Sequence, residues 1–128
     1  MSTYLKTADF DSSVLSYKIV EDIRLDQTAI VDVLQDSGTL VTIDVDATAT
    51  QNHQYLKLKF TSSDVTPGTT IPDMVVMCAS AKRTLVELPG GISFTSLSAW
   101  LVSSQLDNNA ANAEAAAGRY TIVRFVTK

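Results

Sequence analysis

Residues 53–61 read HQYLKLKFT, and from Leu56 to Phe60 every second side chain is aliphatic or aromatic. Leu56, Leu58 and Phe60 fall on one side of an extended chain, with Tyr55, Lys57 and Lys59 on the other. A strand alternates its side chains between two faces, whereas a helix repeats every 3.6 residues and would scatter these three around its girth. The period of two predicts a half-buried strand with an outward basic-aromatic face.

The same period recurs outward from this stretch. Residues 15–26 (LSYKIVEDIRLD) put Leu15, Tyr17, Ile19, Ile23 and Leu25 on one face, a pattern interrupted only at Val20 and Glu21. Residues 28–34 (TAIVDVL) and 39–45 (TLVTIDV) flank the turn signal 35–38 (QDSG) and read as a hairpin, with Val41, Ile43 and Val45 inward. Residues 119–127 (RYTIVRFVT) form a terminal strand paired inside a sheet.

Other segments are punctuated by turns and loops. Residues 46–52 (DATATQN) are small and polar, and 62–72 (SSDVTPGTTIP) form a long loop with a type II turn at Pro67-Gly68. Residues 74–80 and 84–88 suggest a hairpin ended by Pro89-Gly90-Gly91; a helix over 73–83, capped by Asp73, is the rival. In 94–106 (FTSLSAWLVSSQL), Leu97, Trp100, Leu101 and Ser104 share a helical face, so a short helix is expected. Residues 107–118 (DNNAANAEAAAG) read as a loop with one helical turn closed by Gly118. The expected organisation is an extended N-terminal arm over 1–13 and a single β-rich domain over 14–128. Within it, turns every 8–12 residues point to a β-sandwich or barrel of six to eight strands with one or two short helices.

Composition narrows function. The 128 residues are 45% hydrophobic, enough for a packed core and too apolar for a disordered chain. No run approaches the 18 apolar residues of a membrane span, and the first residues lack the apolar core of a secretory leader. Fourteen acids against ten bases give a net charge of −4. That balance opposes nucleic-acid binding, which draws most of its affinity from phosphate neutralisation, and opposes anionic membranes too. The Tyr55/Lys57/Lys59 face is the best nucleic-acid candidate in the chain, and an ordinary solvated strand face is the expected alternative.

No constellation carries catalysis. Cys78 is the single cysteine, lies in apolar surroundings, and reads as a small core residue. His53 is the single histidine and has no second ligand at metal-site spacing, so an exposed or capping role is expected. Asp44/Asp46 and Asp9/Asp11 each put two carboxylates on one strand face, without the glycine and distal glutamate of a calcium loop. Trp100 sits among Leu97, Leu101 and Val102 and reads as core. No serine elbow or phosphate-binding glycine loop is present. No catalytic, cofactor-binding or metal-binding residue is assigned, and no cofactor is expected.

In texture the whole chain resembles the small virion proteins of tailed bacteriophages, especially head-decoration (cement) proteins. These are short, Ala/Thr/Val-rich, mostly β and not basic, with an extended arm like residues 2–13 here. The resemblance implies a non-enzymatic homo-oligomer, often a trimer, clamped on the capsid protein lattice of a virion made in the host cytoplasm. Coat proteins of small RNA phages have a similar length, but they end in helices and need a basic sheet. This chain ends in a strand. A β-sandwich module for glycans would display a set of exposed aromatics, and none stands out.

Overall fold

A computed structural model describes residues 5–11, 16–106 and 120–128. Its strands are β1 (Leu5–Asp11), β2 (Ser16–Asp22), β3 (Gly38–Asp46), β4 (Gln54–Lys59), β5 (Met74–Cys78), β6 (Arg83–Phe94), β7 (Ser98–Val102) and β8 (Ile122–Thr127). Strands β2-β8-β3-β6 and β5-β4-β7 form two antiparallel sheets packed as a sandwich, and β1 adds to the larger sheet along β2. β8 is flanked by β2 and β3, the interior place expected for the C-terminal strand.

The core lies between the sheets. Val20, Ile43, Val45, Val123 and Phe125 from the larger sheet join Leu56, Leu58, Val76, Cys78, Ala99 and Leu101 from the smaller one in a single buried cluster. Each such aliphatic or aromatic side chain contributes about 1.5–3 kcal/mol when fully withdrawn from water. Leu56, Leu58 and Phe60 point inward as their alternation requires.

The expected helix over 94–106 is a strand instead. All five residues of β7 are buried. A strand covered on both faces has no polar alternation to display, so its apolar run mimics a helical stripe. The rival helix over 73–83 is likewise a strand, β5. The Asp73 carboxylate accepts the Phe60 N–H at 2.8 Å, and the Asp73 N–H donates to the Leu58 carbonyl at 2.8 Å, which ties the start of β5 to β4. No helix occurs among the described residues.

Two strand pairings also differ from expectation. Residues 28–34 do not form a hairpin with β3. Ile30 bridges Ala99, exchanging two 2.9 Å bonds with it, so this segment closes the outer edge of β7. Strands β5 and β6 are not a hairpin either; β5 pairs with β4 and β6 with β3, so the chain crosses between sheets at residues 79–82. Local turn chemistry at Ala81-Lys82 is compatible with both outcomes, and the second strand's partner is a matter of tertiary packing.

Pro89-Gly90-Gly91 does not end a unit. β6 runs through it, and residues 88–91 bulge out where Thr42 pairs Glu87 and Leu40 pairs Ile92. An edge strand tolerates proline because its outward N–H has no ladder partner to lose. Gly91 has φ +73, and a Cβ there would lie 2.2 Å from Thr39 Cγ2.

Two inward faces shift by one residue. In β2 the buried residues are Val20 and Asp22, while Tyr17 and Ile19 are only half-buried. The inward face is therefore the even one, opposite to the apolar count. In β3 the irregularity between Leu40 and Thr42 lets Leu40, not Val41, join Ile43 and Val45 in the core. A bulge resets the alternation by one residue. The 62–72 loop carries the expected turn, with Gly68 at φ +91 and Thr69 N–H donating to the Thr66 carbonyl at 3.0 Å. The stretch read as an arm contains β1, which pairs with β2 from Leu5↔Asp22 to Asp11↔Ser16. The remainder of that stretch and residues 107–118 lie outside the described residues.

Candidate functional site

The outer face of the smaller sheet is built from directly opposed residues. One row runs Val75–Lys57–Trp100 and the next Met77–Tyr55–Val102 across β5, β4 and β7. Lys57 is fully buried, and its ammonium donates to the carbonyl of Leu106, in the segment after β7. The expected Tyr55/Lys57/Lys59 basic face therefore does not exist as a solvated surface. Lys59 turns instead to the Ile71 carbonyl and the Asp73 carboxylate, each at 3.3 Å. A long aliphatic stem lets lysine lie along apolar surface while its head finds an acceptor. Trp100 is completely buried, as expected, but on this outer face rather than in the core between the sheets, and its Nε1 meets no hydrogen-bond partner among the described residues.

What faces solvent on this side is apolar. Val75 is 38% exposed, Met77 49% and Leu106 58%. With Tyr55 and Gln105 these residues line a shallow groove of about 510 Å³ beside β5. Alternation in β5 sends Val76 and Cys78 into the core and Val75 and Met77 outward. Sequence reading missed this surface because all four residues are apolar, so no polar contrast marked which pair faced water. β5 is also the outer strand of its sheet, and among the described residues its far edge has no pairing strand.

The larger sheet's outer face carries ion pairs, with Leu85 of β6 exposed beside Asp44. Arg83 of β6 grips the Asp44 carboxylate of β3 through Nε and a terminal nitrogen. Arg124 of β8 pairs with Glu21 of β2 and approaches Asp44 at 3.6 Å. The hydrogen bond from Arg83 holds the Asp44 carboxyl below its usual range, against the opposing effect of burial. Asp46 goes elsewhere: the Thr48 hydroxyl and N–H both donate to it, which lowers its pKa as well. The two carboxylates thus serve separate partners rather than one cation.

The remaining candidates are ordinary structure. Cys78 is inaccessible, and burial pushes its thiol up to about 12. His53 is exposed, and its Nδ1 accepts the Ser80 N–H at 3.0 Å, fixing the turn after β5. Asp9 and Asp11 occupy β1 opposite Lys18 and Ser16.

No family model, curated protein or solved structure matches this chain.

Proposed function

We propose that this protein is a non-enzymatic structural protein that works through subunit contacts, most simply a decoration (cement) protein seated on a phage capsid lattice. One observation carries the reading: solvent-facing apolar side chains, Val75 and Met77 of the edge strand β5 and Leu106 of the segment after β7, line one groove. What distinguishes these three from the other exposed apolar residues, such as Ile71 and Leu85, is that they line one groove, and contiguous exposed apolar surface marks a contact with another protein. The ion-paired face of the larger sheet complements it, because such a face stays in water. The texture of the whole chain agrees with this reading.

Mass in solution, by size-exclusion chromatography with light scattering, tests it. A defined small oligomer supports a decoration protein, and a megadalton shell moves the reading to coat protein. A monomer at every accessible concentration counts against self-association and leaves the apolar edge without a role in it.

A further inference from the structure

We infer that β5 is a self-pairing edge: two copies join their β5 strands antiparallel about a two-fold axis through Val76, fusing two three-stranded sheets into one of six strands. This rests on the subunit-contact reading above and names the surface and the occupant.

The first ground is contrast between edges. An unpaired strand edge invites another strand, and soluble proteins blunt it with charge, proline, bulges or a covering segment. The far edge of β7 is covered by residues 26–33, through Leu101 N–H to Asp26, the Ile30–Ala99 exchange and Val33 N–H to Leu97. β6 carries Arg83, Glu87, Pro89 and the 88–91 bulge. β1 carries Lys6, Asp9 and Asp11. β5, with the sequence MVVMC, has no charge, proline or bulge, and none of the described residues covers its far edge.

The second ground is self-complementarity. Residues directly opposed in a sheet share a face, so the register must set outward residues against outward ones. Centring the axis on Val76 does this: Val75 meets Met77 of the second copy, Met74 meets Cys78, and Val76 meets itself. Each outer row then continues across the junction, from Tyr55 and Met77 of one copy to Val75 and Lys57 of the other. A slip by one residue would set Val75 against the inward Val76.

The third ground is charge. The Met74 end of β5 holds the Asp73–Lys59 ion pair, and the Cys78 end leads into Lys82 and Arg83, with Asp44 and Asp46 beside them. A two-fold axis therefore sets no block of like charge against another.

The test uses the full chain. Val75→Cys and Met77→Cys variants are prepared separately, then mixed and oxidised. Opposed residues lie about 4.5–5.5 Å apart at Cβ, close to disulfide reach, while like positions are offset diagonally. The mixture is expected to form a disulfide-linked dimer that neither variant forms alone. In parallel, the Val75→Lys/Met77→Lys double variant sets like charges opposite each other and is expected to weaken dimerisation about tenfold or more. Both positions are solvent-exposed, and unchanged circular dichroism confirms that the fold is kept. An oligomer that neither cross-links in the mixture nor responds to the lysines overturns the β5 edge but leaves subunit contact through another surface. A chain that is monomeric throughout overturns both.

Discussion

The ammonium of Lys57 in β4 donates to the backbone carbonyl of Leu106, 49 residues further along the chain. This bond ties the segment after β7 to the outer face of the smaller sheet, where Trp100, opposite Lys57 in register, is equally closed to water. A residue that looks like surface charge in the sequence is thus part of the interior.

Lys57 therefore behaves as a core residue under mutation. Lys57→Ala removes a buried stem and leaves the Leu106 carbonyl without that donor, and is expected to destabilise the fold by about 2–4 kcal/mol. Lys57→Met restores most of the volume and costs about 1–3 kcal/mol. Urea unfolding midpoints check both, since a solvated lysine would change stability by less than about 0.5 kcal/mol.

The Asp44–Arg83 pair gives stability an acid limb. The Asp44 carboxyl titrates lower in the folded chain than its ordinary 3.8, chiefly through the Arg83 hydrogen bond. A depressed folded value means that the unfolded chain takes up its proton first. The stabilisation is full above that ordinary value and is lost as pH falls below it through the folded value. Asp44→Asn is expected to cost about 1 kcal/mol at neutral pH, and to shrink the difference from wild type in melts taken at pH 3.

Cys78 is expected to be inert in the native protein. With its thiol pushed up to about 12 and no exposed surface, thiolate is negligible at neutral pH. A chromogenic disulfide reagent should react only after denaturant is added. Cys78→Ser buries a hydroxyl in place of a thiol and is expected to cost about 1–3 kcal/mol while leaving oligomer mass unchanged. Fast reaction with folded protein would contradict this packing.

Gly91 and Gly90 separate strain from space. Both have positive φ, but a Cβ at Gly90 meets nothing within 4 Å, whereas one at Gly91 meets Thr39 Cγ2 at 2.2 Å. Gly90→Ala is expected to cost about 1 kcal/mol and Gly91→Ala clearly more. Thr39→Ser removes the clashing methyl and should recover part of the Gly91→Ala loss. Thermal melts of the four variants give the ranking.

The edge of the smaller sheet was invisible in sequence for a simple reason. Polarity contrast is what makes a face legible, and 74–78 has none. The bridge from Ile30 to Ala99 was equally hidden, because turn signals report where a chain bends and not which strand it meets. At Lys57 the alternation correctly gave the side of the sheet but not what lay over it.

Local chemistry alone determined the mainly β character, the inward set Leu56, Leu58 and Phe60, the turn at Pro67-Gly68 and the core character of Cys78. Each follows from side-chain period, backbone preference or transfer from water, which act within a few residues. Tertiary structure alone decided that 98–102 is a strand, that β5 and β6 belong to different sheets, that Leu40 replaces Val41 inside and that Lys57 is buried. Those outcomes depend on which distant segments supply hydrogen bonds and cover each face, and no local pattern encodes that.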